Sequence, residues 1–433
     1  MTAQSLPFSI SLDLALDGPG AADRASFDTA LNDAEHALTG LREAYAKNTL
    51  ELLRIAERRD DLQAAAPIAA KLRENTSEIC VFGIGGSSLG GQALADLLPF
   101  GAARAPRVRF FDNPDPFTTA RALESFDLKK ARFVCISKSG GTAETLMQTL
   151  AAADAIEKAG GGKYLKQHFV VITEPKPSPL RQFAESIGCP VLDHPLGIGG
   201  RYSVLSLVGM LPAMLMDLDV EAIRSGANSV VQQMLNAKQA RDVPAAAGAA
   251  LHHALARSGH LRETVLWSYA DALKTFGPWW RQLWAESLGK DRQGSTPVSA
   301  LGPVDQHSQL QLFLGGPGEA LFSLVSTGMA GEGPVISRAR TDALGLAYLN
   351  DKSIGDLVSA EVRATAETLH ARGRPVRRIH VPKIDERSLG ALMMHFMLET
   401  IIMGRLMRVD PFDQPAVEEG KVLARRYLQS GRE

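Results

Sequence analysis

Between residues 78 and 194, short β-forming runs alternate with longer stretches at helical spacing: EICVFGI before SSLGGQALADLL, RFVCIS before TAETLMQTLAAADAIEKA, HFVVIT before SPLRQFAESIG, and PVLDH at the end. No other feature constrains the fold as strongly. Strands separated by helices in units of about 30 residues pair in parallel, because each return to the sheet needs a crossover, and the crossover helices cover both faces. A helical stretch from VLSLVGMLPAMLMDL through Leu255 closes this unit. The alternation then resumes, with strands expected at TVLWSYA, ALFSLVS and RRIHVPKI and helices at PWWRQLWAESLG and DQHSQLQLFL. The sequence predicts an α/β chain of two doubly wound parallel-sheet units. Its expected divisions are an N-terminal helical extension over 1–60, a first unit over 61–220, a second over 221–385, and a C-terminal helical segment over 386–433. No low-complexity linker separates the units, so they are expected to pack together with a crevice between them.

Charge limits what such a crevice can hold. Lys and Arg total 47 against 48 Asp and Glu, a net charge of -1, which provides no long-range field for nucleic acid or an anionic membrane. Any anion must be bound locally. Cys80, Cys135 and Cys189 lie far apart in apolar runs without CxxC spacing, as core thiols of a reducing compartment do. The segment MTAQSLPFSISLDLALDGPG lacks a basic flank and carries Asp13 and Asp17 among its apolar residues, unlike a secretory signal. Leu389–Met407 contains His395, Glu399 and Arg405, so it is expected to be a buried helix and not a membrane span. The expected location is cytoplasmic.

Six segments carry chemistry. GIGGSSLGG, residues 83–91, runs from a strand into a helix, where glycines let backbone approach a ligand and the helix start favours an anion; seen alone it is equally a tight turn. It lacks the acidic residue about 20 positions on that a dinucleotide site requires. SKSGGTAET, residues 137–145, combines the hydroxyls of Ser137, Ser139 and Thr142 with Lys138, two glycines and a helix start, a combination suited to phosphate; no Walker A spacing is present. In GIGGRYSVLSLVGMLP, Gly199 and Gly200 expose Arg201, which could meet a developing oxyanion or simply lie in a loop. In WWRQLWAESLGKD, Gln282 and Glu286 share a helix face, and tryptophans are expected to surround it and raise the carboxylate's basicity; an ordinary solvated glutamate is the alternative. DQHSQLQLF carries His307, and DPFDQPAVEEGKVLARRY carries Gln414 and Lys421. The histidines are scattered without metal-ligand spacing, so no catalytic metal is expected.

In this order the segments resemble the phosphoglucose isomerases over roughly residues 78–425, with GGRYSVLSLVGMLP and WAESLGK the most specific motifs. SKSGGT and Pro415-Ala416 after FDQ are similar to the compact bacterial branch, where the long animal form has SKTFTT and Trp-Gly. The resemblance implies two flavodoxin-like sugar-isomerase domains and glucose 6-phosphate to fructose 6-phosphate isomerisation without a cofactor. By the same resemblance the phosphate is held by Ser137, Lys138, Ser139 and Thr142, with Gly86 and Ser87 lining the pocket. Glu286 is the implied base, Arg201 and Gly200 the enediolate partners, Gln282 and Gln414 the substrate amides, and His307 and Lys421 the ring-opening pair. It also implies a homodimer in which His307 comes from the neighbouring subunit. Rival readings are a bifunctional enzyme that also takes mannose 6-phosphate, and a non-catalytic sugar-phosphate sensor.

Overall fold

Apolar content decides which strands are central. The computed structural model describes residues 5–99, 101, 106–259 and 261–430. The strands, in chain order, are β1 (Ser9–Ser11), β2 (Glu78–Phe82), β3 (Arg107–Phe111), β4 (Ala131–Ile136), β5 (Phe169–Thr173), β6 (Val191–Asp193), β7 (Glu263–Ser268), β8 (Thr296–Leu301), β9 (Ala320–Thr327) and β10 (Val376–Val381). One sheet has the order β3-β2-β4-β5-β6 and is wholly parallel. The other has the order β1-β10-β9-β7-β8 and is parallel except for β1, which runs antiparallel with Ser9 opposite His380. Strands β4, β5, β7 and β9 are buried over nearly their whole length, as continuous apolar runs covered by helices on both faces should be.

Three strands were not anticipated, and all three are at sheet edges. β3 (RVRFF) is partly exposed along its length, β8 (TPVSAL) carries Pro297, which only an edge position tolerates, and β1 is three residues long. Edge strands need no continuous apolar run, so the signal that marks the central strands is missing. β1 also corrects the purely helical reading of residues 1–60, since this segment adds a strand to the second sheet. The expected helix DQHSQLQLFL is likewise corrected to a Val304–Gln306 turn followed by a short helix, Leu310–Gly315.

In each sheet the first of the parallel strands, β2 or β7, is flanked by the next two on opposite sides, β3 and β4 or β8 and β9. The chain reverses its winding direction there, which opens a crevice at the strands' carboxyl ends. The helix Glu386–Met407 packs against the helices Val220–Asn236, Pro244–Arg257 and Phe276–Leu288. Among the described residues it alone is long and apolar enough to cross a membrane, but 89% of that apolar stretch is buried inside the protein. Its buried Glu399 is held by Arg377 of β10 at 2.7 Å and lies 3.1 Å from His395 one turn earlier, so the charge is compensated within the protein. Buried Arg224 grips Asp61 through two bonds of 2.6 Å and the Leu205 carbonyl at 2.9 Å, fixing the turn Gly200–Leu205 from behind.

Candidate active site

The glycine turn and the hydroxyl loop leave the ends of neighbouring parallel strands, β2 and β4, at the switch point of the first sheet. Ser137 is buried at the end of β4, and its Oγ lies 2.8 Å from Thr142 Oγ1. Thr142 occupies the N-cap of the helix Ala143–Lys158 in extended conformation, yet its side chain makes no capping bond. Its hydroxyl is therefore committed to Ser137, and the first N–H groups of the helix keep their donors for an anion. Ser139 Oγ accepts from the Gly141 N–H at 3.2 Å and is exposed. Lys138 is partly exposed, with Nζ 3.8 Å from Glu174 Oε1, while Lys176 pairs with the other Glu174 oxygen.

Residues 85 and 86 must lack side chains. Gly85 has φ +57, and a Cβ there would sit 2.7 Å from Gln282 Nε2; a Cβ on Gly86 would sit 2.2 Å from the Gly200 carbonyl carbon. The glycine turn thus touches the Arg201 turn on one side and the Phe276–Leu288 helix on the other, with half-buried Ser87 beside it.

Arg201 is 3% exposed, so its charge must be met by the groups around it. Nε donates to Ser287 Oγ at 2.7 Å, Nη2 donates to the carbonyls of Pro411 at 2.7 Å and Asp413 at 2.9 Å, and Nη1 donates to Gln414 Oε1. Nη1 also reaches Glu286 Oε2 at 3.4 Å. Tyr202 does more than pack: its hydroxyl contacts Ser287 Oγ at 3.0 Å and donates to the Pro411 carbonyl at 3.2 Å. Burial raises the Tyr202 phenol to about 12, so it remains a proton donor here.

Glu286 is 31% exposed on its side chain, and Gln282 Nε2 donates to its Oε1 at 2.9 Å. The expected tryptophan surround is corrected. Trp279, Trp280 and Trp284 are each about 1% exposed and pack inward, Trp279 on Phe276, Trp280 on Phe396 and Trp284 on His252. At about 100° per residue, Trp280 and Trp284 lie well round the helix from Glu286. They anchor the helix, and polar groups set the carboxylate's surroundings. The arrangement places a carboxylate able to take a proton beside a fixed cation able to stabilise an oxyanion, both packed against the glycine turn that follows β2.

Of the residues singled out from the sequence, Gly86, Gly200, Arg201, Gln282, Glu286 and Gln414 form one contact network. His307 and Lys421 stand outside it. His307 is exposed after the Val304–Gln306 turn and makes no side-chain hydrogen bond among the described residues. Lys421 lies on the exposed helix Glu418–Ser430 and pairs with Glu418 at 2.7 Å. Sequence reasoning missed Ser287 and Lys290, although both sit inside the WAESLGK motif, and it missed the Pro411 and Asp413 carbonyls, which no side-chain pattern reveals. Among the described residues no group of three or more His, Cys, Asp or Glu could hold a metal ion.

Comparison with known proteins gives this geometry a family. A family model described as phosphoglucose isomerase matches residues 65–318 and 338–433. A glucose-6-phosphate isomerase of Rubrobacter xylanophilus is 36% identical over 389 residues, covering 88% of this chain and 89% of its own length. One from Thermus thermophilus is 39% identical over 359 residues, covering 81% and 84%. Among solved structures, a hypothetical protein of Thermus thermophilus superposes with a TM-score of 0.84 at 32% identity, covering 97% of this chain and 99% of that one. A glucose-6-phosphate isomerase of Chlamydia trachomatis, at 20% identity and a TM-score of 0.81 over 98% and 89% of the two chains, shares the fold. With a family model spanning most of its length and relatives above 30% identity along more than four-fifths of it, the chain belongs to the phosphoglucose isomerase family.

Proposed function

We propose that the chain interconverts glucose 6-phosphate and fructose 6-phosphate. The observation that carries this reading is the Glu286 carboxylate 3.4 Å from Arg201, both packed against the glycine turn of β2, the strand that neighbours the one bearing Ser137, Ser139 and Thr142. The loop and Lys138 bind the phosphate, which is remote from the reacting carbons and holds the open chain against the carboxylate. His307 and Lys421 transfer the anomeric hydroxyl proton to the ring oxygen as the C1–O5 bond breaks. Glu286 then takes the proton from carbon 2, its bonding pair forms the enediolate, and Arg201 stabilises the negative oxygen. The hydroxyl proton on oxygen 2 passes to oxygen 1, and return of the proton from Glu286 to carbon 1 then forms the carbonyl at carbon 2 and completes the ketose. The reaction is an internal redox exchange between neighbouring carbons and consumes no external oxidant or reductant.

The His307 role requires a homodimer in this reading. Exposed apolar side chains on the excursion after β9 support one, among them Val335 at 63%, Leu344 at 72% and Tyr348 at 73% exposure. A cytoplasmic setting accords with three buried, free cysteines. The test is a coupled assay with fructose 6-phosphate, with mannose 6-phosphate run in parallel. Turnover of the first is expected, and saturable binding without turnover would replace the enzyme with a sensor.

A further inference from the structure

We infer that Lys290 is a positioning residue, clamping segment 407–413 to the end of the Glu286 helix so that Gln414 and Lys421 reach the substrate. This rests on the isomerase reading. Lys290 follows the helix Phe276–Leu288, and its side chain is only 11% exposed. Its ammonium lies 2.7 Å from Asp413 Oδ1, donates to the Ser287 carbonyl at 3.1 Å, and donates to the Asp410 carbonyl. An ammonium has three N–H donors, and these three acceptors use them all. Lys290 is therefore committed to the protein.

The same segment is gripped from two further directions. Gln293 Nε2 donates to the Met407 carbonyl at 3.3 Å, and Arg201 and Tyr202 hold the Pro411 carbonyl from the other side. Beyond this grip the chain has little purchase: every described residue from Asp413 to Ser430 is exposed, and the helix Glu418–Ser430 buries none of its side chains. The direction in which that helix leaves the body is set by the carbonyls and carboxylate that Lys290 and Arg201 hold. Arg201 also faces the reacting oxygen in this reading, whereas Lys290 touches only the clamp. It is the contact that can be cut while the carboxylate, the cation and the phosphate loop stay in place.

Lys290→Met keeps the aliphatic stem and deletes the three donors. The expected result is a fall in kcat of about ten- to a hundred-fold, the scale that a displacement near 1 Å produces, with KM for fructose 6-phosphate within about three-fold. Hydrogen exchange should quicken over residues 407–430 and stay unchanged in the Ala143–Lys158 helix, and Lys290→Arg should recover part of the rate by retaining the pair with Asp413. Wild-type kcat in a folded Lys290→Met protein would overturn the inference. So would a lost kcat with unchanged exchange over 407–430, which would make the lysine a direct substrate contact. If Lys290→Met does not fold, Asp413→Asn removes the charged acceptor while keeping the lysine, and it must show the same pattern at smaller amplitude or the inference fails. The exchange measurement needs no substrate, so it still judges the clamp should the wild-type protein prove inactive on fructose 6-phosphate.

Discussion

Replacing Glu286 by glutamine tests the site most directly, because the substitution keeps shape while removing basicity. Glu286 makes two contacts, Oε1 accepting from Gln282 at 2.9 Å and Oε2 from Arg201 at 3.4 Å. A glutamine has one acceptor oxygen, so it can keep one of these bonds and must turn its NH2 toward the other donor. The loss is one hydrogen bond of a partly exposed side chain, about 1 kcal/mol. Arg201 retains its bonds to Ser287, Pro411, Asp413 and Gln414, so its charge is not stranded. The expected fall in Tm is therefore small, about 1 °C in a chain of this size. The kinetic loss should be far larger. Without a base at carbon 2, kcat should drop roughly a hundred- to ten-thousand-fold, about 2.7–5.5 kcal/mol on the barrier, with KM nearly unchanged. The assay couples glucose 6-phosphate formation to a dehydrogenase. In the wild-type protein a single base also predicts that deuterium at carbon 2 passes in part to carbon 1. Near-normal turnover in folded Glu286→Gln would refute the assignment, and Glu144 in the phosphate-loop helix would be the next carboxylate to replace.

Three other outcomes are expected. Ser139→Ala with Thr142→Ala should raise KM for 6-phosphosugars more than about ten-fold while kcat falls only a few-fold, since phosphate contacts persist from ground state to transition state; an unchanged KM refutes the loop assignment. A purified mixed dimer of Glu286→Gln and His307→Ala chains, each inactive alone, should regain about half of the wild-type activity from its one intact site. No recovery would show that the histidine serves its own chain or is dispensable. Stability should fall in acid. Burial holds His252 down at about 3 and lowers His395, while Arg377 and His395 outweigh the opposing effect of burial and hold Glu399 at about 2. All three groups bind protons on unfolding, so their stabilisation is present near neutrality and is lost as pH falls. Below the ordinary histidine range the slope should be about 1.4 kcal/mol per pH unit for each histidine, and urea denaturation from about pH 7 to about pH 5 would refute this if it were flat.

The sequence by itself determined the features that depend on local composition. Continuous apolar runs marked β2, β4, β5, β7 and β9, because a strand covered on both faces must be apolar throughout. The loops at 83–91 and 137–145 were legible as turns from a strand into a helix because glycines and hydroxyls gather there between an apolar run and a helical one, and the helical spacing of Gln282 and Glu286 survives as a 2.9 Å bond. Edge strands β1, β3 and β8 were not legible, since partial exposure removes the pattern that identifies a strand. Tertiary structure alone decided what surrounds Glu286. Spacing along a helix places residues on a face but cannot say which direction the core lies, and here the tryptophans turned inward while Arg201, 85 residues away in sequence, met the carboxylate. It also decided how Arg201 is held, because its partners at Pro411 and Asp413 are backbone carbonyls. Every residue carries that group, so no sequence pattern marks the ones a buried guanidinium will use, and only the folded chain brings them within reach.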